Sequence, residues 1–340
     1  MKIFFVTDSE QFFGQRAHPW QSLNVPFIVN KLKEHFDVEE VQFEQIANSA
    51  IDIENGVVIY SSSQQPEYKQ YIEDILIYLS QKGNTLIPSL NSLKSHENKG
   101  YQELHKKLLG IEAIPANYLG HHKELKGKDL DFPAVFKFVD GYGSGSVSMV
   151  STKEEATSLS SKKEWAINKF LFRKIRTIIA RPVKRYLLGK KVKVEDTKDY
   201  FHFFRRFVLQ RLVPNLQNDY KVLVYHDKYY VLTRYTRPND FRASGSGLFK
   251  FEEASEGLLN YAQTLFKQFD EPMMAFDICF DGNDYHLIEF QATHFGPYTL
   301  TESPGYFIQQ NETWNFKEGK SDLDKEVSNA LVAYLKKLVP

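Results

Sequence analysis

Cysteine is nearly absent from this sequence, which contains only Cys279 among its 340 residues. A single thiol cannot form an intramolecular disulfide, so a reducing compartment is expected. Between apolar neighbours on a predicted strand, Cys279 is interpreted as a small buried hydrophobic residue. An excess of charge is absent as well, because 43 lysines and arginines balance 43 aspartates and glutamates. No global field attracts the chain to nucleic acid, and no nucleic-acid partner is expected.

Long apolar runs are also missing. No segment approaches the ~20 apolar residues that a transmembrane helix needs, and the first apolar stretch turns polar at Thr7, too early for a signal peptide. Internal repeats and low-complexity tracts are not found. With 42% hydrophobic and 25% charged residues, the composition is that of a globular protein with two or three packed subdomains. A cytoplasmic protein is expected.

The first part of the chain alternates strand and helix patterns. Apolar runs of strand length and apolar residues at helical spacing follow one another at 2–6, 25–36, 57–60, 68–79 and 84–88. This alternation is typical of a parallel sheet covered by helices. Residues 1–92 are therefore predicted to form a small Rossmann-like domain.

The rest of the chain mixes helices with strands and glycine-rich turns. Helices are predicted at 99–109, 154–160, 256–269 and 323–338. Strands are predicted at 134–139, 146–150, 207–213, 220–225, 229–235, 274–280 and 285–290. We predict two further domains, at 93–210 and 211–340, and the fold class α/β (α+β).

A glycine-rich segment, FKFVDGYGSGSV, occupies residues 136–147 and forms the tip of a predicted hairpin. Glycines let a loop turn tightly and bring backbone N–H groups close to phosphate oxygens. Lys137 precedes the loop and offers an ammonium group to the same phosphates. The segment is neither a Walker loop nor a dinucleotide fingerprint, because no helix follows it directly. A phosphate site and a plain turn both remain open.

An acidic segment, AFDICFDGNDYHLIEFQ, occupies residues 275–291. It places Asp277 and Glu289 on two strands joined by a tight turn. Strand alternation puts Glu289 and Gln291 on one face and directs Ile288 and Phe290 toward the core. Magnesium prefers one or two carboxylates together with substrate phosphates. A magnesium site and salt bridges to nearby arginines are equally compatible with the pattern.

A third segment, TRYTRPNDFRASGSG at residues 233–247, interleaves Arg234, Arg237 and Arg242 with small polar residues. Arginine forks suit phosphate and carboxylate groups. A solvated loop is the alternative.

The order of these segments resembles the ATP-grasp superfamily, and most closely its ribosomal-protein glutamate ligase group. The likeness extends from the Rossmann-like start to the strand of Glu289. It implies an ATP-grasp fold, in which two α+β subdomains clasp ATP and Mg²⁺ behind the N-terminal domain. Its implied ATP-binding residues lie on a linker helix, the glycine-rich hairpin, a hinge strand and the strand after it: Lys99, Lys137, Gly141, Gly143, Ser144, Gly145, Gln210, Arg211, Val213 and Asp219.

The resemblance also implies the remaining roles. Arg234 and Arg242 would act as catalytic residues beside the reacting phosphoryl group, and magnesium would be held by Asp277, Glu289 and Gln291. The sequence departs from the family where Gln291 replaces asparagine, Arg211 replaces an acid, and Lys221 stands in place of the usual arginine. The segment 292–297 also replaces a shorter turn that would line the acceptor site, so the substrates cannot be transferred from the family.

The implied activity is an ATP- and Mg²⁺-dependent carboxylate–amine ligase that forms an amide through an acyl phosphate. Small-molecule or polymer carboxylates and amines, including a peptide or a surface polysaccharide, are the expected partners. A non-catalytic nucleotide-binding scaffold and an ATP-grasp kinase acting on a hydroxyl are the alternatives. His294 lies close to the implied metal residues. It either orients a substrate carboxylate or forms a local hydrogen bond.

Residues 171–196 form a basic segment interleaved with apolar residues. Such a mixture suits peripheral contact with the inner membrane surface or with a polyanion. A helical hairpin with solvated lysines is the alternative.

Overall fold

The computed structural model of the protein describes residues 2–18, 20–139, 147–169, 183, 186–189, 204–238 and 240–338. It divides into two compact units, Met1–Ile114 with Val213–Pro340 and Pro115–Leu212. The glycine-rich residues Gly141, Gly143, Ser144 and Gly145 lie outside the described residues, as does almost all of the basic segment. The roles predicted for both segments stay predictions, as does the division at residues 92 and 210.

The first unit begins with a parallel four-stranded sheet in the order β2-β1-β3-β4. Its strands are β1 (Ile3–Thr7), β2 (Val38–Gln42), β3 (Val57–Tyr60) and β4 (Thr85–Ile87). The helices of this part are α1 (Val25–Lys33), α2 (Phe43–Ala47), α3 (Pro66–Gln81), α4 (Leu90–Ser95) and α5 (Lys99–Leu108). The predicted parallel arrangement is confirmed, while β2, α2 and α4 were not predicted.

The second unit contains a four-stranded antiparallel sheet in the order β5-β8-β6-β7. Its elements are β5 (Ala116–Leu119), a 3-10 helix (His122–Leu125), β6 (Ala134–Phe138), β7 (Val147–Val150), α6 (Lys153–Lys169) and β8 (Phe207–Arg211). The pairing of β6 with β7 confirms the predicted hairpin. Phe136 and Phe207 stack at 4.7 Å in the core of this sheet.

The first unit continues after residue 212 with a seven-stranded sheet in the order β13-β12-β9-β10-β14-β15, in which β11 also pairs with β10. Its strands are β9 (Asn218–Tyr225), β10 (Lys228–Tyr235), β11 (Phe249–Lys250), β12 (Met273–Phe280), β13 (Tyr285–Gln291), β14 (Gly305–Gln310) and β15 (Thr313–Glu318). Its helices are α7 (Glu256–Phe269), α8 (Tyr298–Glu302) and α9 (Leu323–Leu338).

The central strands β9 and β12 of the seven-stranded sheet are largely buried on both faces, because they alternate two apolar sets. Leu223 and Ala275 pack with β1, β3 and α9 in one core. Val222 and Phe276, one position away on the same strands, pack with α7 in a second core. The first of these cores also contains Ile59 of β3, so it joins the two sheets of the first unit. Cys279 is buried, as the sequence predicted.

The hairpin of β14 and β15 was not predicted. Its turn residues Asn311 and Glu312 both have positive φ, at 49° and 64°. A two-residue hairpin turn of this kind is usually marked by Asn-Gly or Asp-Gly. Glu312 in the second position removes that sequence signal. No helix in the described part of the chain is long and apolar enough to cross a bilayer.

Candidate functional site

The two acids of the predicted metal site lie directly opposite each other, because β12 and β13 pair with Asp277 across from Glu289. The register shifts after this pair, and Ile278 lies opposite Leu287. Ile288 is therefore the extra residue of a β-bulge.

The bulge corrects one sequence prediction. Leu287 and Phe290 both face the core beneath α7, whereas Ile288 is only half-buried and its predicted inward direction is wrong. In a regular strand, residues three positions apart point to opposite faces. The extra residue of the bulge lets Leu287 and Phe290 of β13 point to the same face. The bulge leaves Asp277, Glu289 and Gln291 on the opposite face of the sheet.

Asp277 is held by two cations from neighbouring strands. Lys221 lies opposite it on β9, and the Lys221 Nζ donates to the Asp277 Oδ1 at 3.1 Å. The Nη2 of Arg234 lies 3.0 Å from the Asp277 Oδ2. The Nε of Arg234 donates to the Oδ1 of Asp219, directly across from it, at 2.6 Å. Two acids and two cations thus form a neutral cluster in which Arg234 bridges both carboxylates.

The charge state of Asp277 follows from this cluster. Burial opposes its ionisation, but the charges of Arg234 and Lys221 outweigh burial and lower the pKa of Asp277 to about 2. Asp277 is therefore an anion at neutral pH. Of the two interpretations left open by the sequence, the salt bridge is present at Asp277.

Glu289 and Gln291 differ from Asp277, since neither has an ion pair or a hydrogen bond with any side chain in the described ranges. Glu97, in the link between α4 and α5, lies near Glu289. Burial raises the pKa of Glu97, Lys69 and Lys99 act against the increase, and the charge of Glu289 adds to it. The like charge of Glu289 therefore disfavours the ionisation of Glu97.

The side chains of Asp277, Glu289 and Gln291 fit Mg²⁺ as ligands. Two carboxylates and an amide oxygen on one sheet face are hard ligands of the kind that magnesium takes together with substrate phosphates. Within the described ranges, no three His, Cys, Asp or Glu side chains are grouped to hold a metal.

The linker helix α5 brings Lys99 to the same region. Asn98 caps this helix, and its side chain accepts a hydrogen bond from the Tyr101 backbone N–H at 3.1 Å. Gln102, in the first turns, donates to the backbone carbonyl of Phe290 at 3.0 Å and so ties α5 to β13. Lys99 is buried and close enough to Glu97 to affect its pKa.

The arginine loop, residues 233–247, is held by hydrogen bonds among its own residues. The guanidinium of Arg242 donates to Asp240 through Nε and Nη2, with 2.9 Å to Oδ1 and to Oδ2, respectively. These hydrogen bonds lower the pKa of Asp240 to about 2. Arg237 donates to the backbone carbonyl of Gly245. The loop is thus ordered by hydrogen bonds among its own residues, while Arg237 remains exposed.

The residues predicted to contact the nucleotide from the second unit lie on its central strands. Lys137 is buried on β6, and its neighbours across the sheet are Val147 and Val208. Gln210 is buried on β8, and its side-chain Nε2 has no partner in the part of the chain that the structure describes. Arg211 ends this strand and is exposed. The division between the two units falls directly before Val213, where the sequence predicted a hinge.

Sequence reasoning missed two residues of this region, His96 and Glu97. They follow a helix that was not predicted, and no local pattern distinguishes them from other turn residues. They belong to this region only because the folded chain brings Glu97 near Glu289 and the ring of His96 against that of His294.

Comparison with known proteins gives a structural likeness without a sequence match. No protein-family model and no curated protein matches the chain. Among solved structures, D-cycloserine synthetase DcsG matches with a TM-score of 0.52 and 12% identity, covering 98% of this chain and 100% of that chain.

Two further structures match over similar lengths. The ATP-grasp ligase PsnB, complexed with a variant of its minimal precursor, Mg and ADP, matches with a TM-score of 0.51 and 12% identity over 98% of both chains. The macrocyclase MdnC, bound with precursor peptide MdnA from Microcystis aeruginosa MRC, matches with a TM-score of 0.50 and 10% identity over 98% of this chain and 100% of that chain. The predicted ATP-grasp fold is confirmed.

Proposed function

We propose that this chain, which has the ATP-grasp fold, is an ATP- and Mg²⁺-dependent ligase that joins a carboxylate to an amine. The observation that carries the proposal is the charge arrangement on one face of β12 and β13. There Asp277 is neutralised by Lys221 and Arg234, while Glu289 stands opposite it with no counter-charge in an ion pair.

Asp277, Glu289 and Gln291 would hold the magnesium ion. Bound there, Mg²⁺ supplies a positive charge to phosphate oxygens during phosphoryl transfer. Lys221 and Arg234 keep Asp277 ionised and fixed in place, so that no reorganisation is needed when the nucleotide arrives. Because the guanidinium of Arg234 is already shared between Asp219 and Asp277, we assign it a positioning role instead of direct contact with the phosphoryl group.

The proposed reaction has two balanced steps. A carboxylate oxygen of the substrate attacks the terminal phosphorus of ATP, the bond to ADP breaks, and an acyl phosphate forms. An amine nitrogen then attacks the acyl carbon, phosphate leaves, and the amine loses a proton. We propose that Lys99 and Lys137 offset the charge of the transferred group, and that Arg242, held in place by Asp240, adds its remaining charge from the arginine loop. No side-chain nucleophile is required, because positioning and charge stabilisation provide the catalysis.

For the substrates, we propose only their chemical class. PsnB and MdnC were crystallised with their precursors, and DcsG is a synthetase of a small molecule. We propose for this chain a small-molecule or peptide carboxylate and an amine.

The test is ADP and phosphate release by the purified protein with ATP, MgCl₂ and panels of carboxylates, amines and alcohols. ADP formation that requires both a carboxylate and an amine supports the ligase. Alcohol-dependent ADP formation identifies a kinase, and nucleotide binding without turnover identifies a scaffold; either result refutes the proposal.

Two variants test the site itself. Glu289→Ala should reduce turnover by at least ~100-fold, because electrostatic groups at the reacting centre contribute factors of this order. Glu318→Ala, an exposed acid on β15, is the matched control and should retain activity. Lys137→Ala tests the contribution of the second unit. Full turnover by Glu289→Ala would show that the metal assignment is wrong.

A further inference from the structure

The parallel sheet of the first unit has a crevice at one defined place. The chain passes from β1 to β2 on one side and then crosses to β3 on the other side, because the strand order is β2-β1-β3-β4. In open α/β sheets of this kind, ligands bind outside the carboxyl ends of the strands where the order reverses. Here that place lies beyond Thr7 of β1 and Tyr60 of β3.

The segment that follows the proposed metal ligands covers this crevice. Ser62, just beyond β3, donates its backbone N–H to the Thr293 side chain at 3.4 Å, although the two residues are 231 positions apart. The ring of His294 lies 5.6 Å from that of Phe12, which follows β1. Since Gln291 is only three residues before His294, the crevice adjoins the proposed reaction centre.

Two buried imidazoles meet here edge to face. The ring centroids of His96 and His294 are 5.9 Å apart, and the two residues are only 1% and 7% exposed. The ring nitrogens of His96 and the Ser62 hydroxyl lack a hydrogen-bond partner in the described part of the chain, and the polar group that acts on the His294 ring there is the Ser62 backbone. Buried polar groups are normally satisfied, and an exception calls for a ligand or an ordered water.

Both imidazoles are uncharged at neutral pH. Burial lowers the pKa of His294 to about 4, and a hydrogen bond with the Ser62 backbone acts against this decrease. Burial, Lys69 and His294 together lower the pKa of His96 well below its usual range. Each neutral ring therefore presents one N–H donor and one lone pair.

A small cavity of about 50 Å³ opens beside His294. Its polar wall includes Ser61, Thr293 and His294, and the remaining wall is mainly apolar. This volume holds a few water-sized groups. The part of a ligand that enters must therefore be small.

We propose that His294, against which His96 packs, binds the primary amino group of the amine substrate in its uncharged form at this cavity, with a ring lone pair accepting one of its N–H groups. The inference rests on the proposed ligase function and names the substrate group at that site. An uncharged amine keeps its own lone pair free to attack an acyl carbon. A carboxylate would need a cation here, yet Lys69, the cation that acts on His96, already donates to the His96 backbone carbonyl.

The test reads ring nitrogens directly and requires no turnover. Protein labelled with ¹⁵N-histidine is titrated at neutral pH with hydroxylamine, a small amine that is uncharged there, and separately with sodium acetate and sodium chloride. The ring ¹⁵N signals of His96 and His294 should shift with hydroxylamine and stay unchanged with either salt. His105, buried and bonded through Nδ1 to the Ser95 hydroxyl at 3.0 Å, is the internal control.

Variants assign the signals and measure the effect. His294→Asn suits the left-handed backbone at this position, where φ is 52°, because asparagine tolerates that conformation. His96→Gln keeps a polar side chain of similar reach. His294→Asn should weaken hydroxylamine binding at least tenfold and His96→Gln should weaken it less, both without altering the His105 signal. The thermal midpoints show whether both variants remain folded.

The outcomes separate this inference from the proposed function. Shifts with acetate alone would assign the pocket to the carboxylate substrate and overturn the proposal. An absence of any shift would overturn it too and leave a pair satisfied by ordered water. Hydroxylamine binding in a protein that never consumes ATP would uphold the amine pocket and reject the ligase. Turnover by a protein whose histidine signals do not respond would do the reverse.

Discussion

Glu271 makes the stability of the first unit dependent on pH. This residue is fully buried, and its carboxylate accepts hydrogen bonds from the backbone N–H of Ser89 at 2.9 Å and from the Ser92 hydroxyl at 2.6 Å. Ser89 caps α4, so Glu271 ties the start of β12 to that helix. Burial raises the pKa of Glu271 from 4.5 to about 7, and the hydrogen bonds from Ser92 and Ser89 act against this increase.

The sign and size of the effect follow from proton binding. Between pH 4.5 and about 7 the folded protein keeps a proton that the unfolded chain has lost. The free energy of unfolding therefore decreases as the pH rises through this window. A pKa difference of this size corresponds to about 3 kcal/mol.

Glu271→Gln removes the ionisation while retaining an oxygen that accepts both hydrogen bonds. The variant should match the wild type near pH 4.5 and exceed its free energy of unfolding by up to about 3 kcal/mol above pH 7. Urea denaturation at several pH values between these limits measures the difference, and Glu318→Gln, on an exposed strand, is the control. Parallel pH profiles for Glu271→Gln and the wild type would refute the reasoning.

Two further substitutions test the packing and the charge cluster. Phe276→Ala removes a fully buried ring beneath α7 and should lower the free energy of unfolding by about 3–5 kcal/mol, measured by urea denaturation; a loss below about 1 kcal/mol would contradict the described core. Lys221→Met leaves Asp277 with Arg234 alone and should cost about 1–3 kcal/mol. The exposed Lys317→Met is its control, and equal effects of the two lysine substitutions would show that the Lys221 ion pair contributes nothing.

The sequence predicted the fold where local patterns carry the information. Apolar runs of strand length separated by helical spacing predicted the parallel sheet, because burial on both faces requires continuous apolar strands. The hairpin around the glycine-rich tip was likewise predicted and is present. The hairpin at Asn311 and Glu312 was missed, since its turn lacks the glycine that usually marks such a conformation.

At the candidate site, the sequence by itself determined which side chains were available. The pattern predicted Asp277 and Glu289 as either magnesium ligands or salt-bridge partners, because magnesium prefers carboxylate oxygens. The family resemblance added Gln291, and the magnesium assignment of all three stays a prediction. Alternation along β13 did not reveal the bulge at Ile288, which depends on pairing with a partner strand.

Only the tertiary structure decided how these groups are used. Asp277 is paired and Glu289 is not, because β9 and β10 bring Lys221 and Arg234 to one carboxylate alone. His96 and His294 lie far apart in the chain, yet their rings are in contact. They meet because the segment after β13 covers the crevice between β1 and β3. Contacts of this range arise from the packing of whole elements against a shared core, and no local sequence pattern records them.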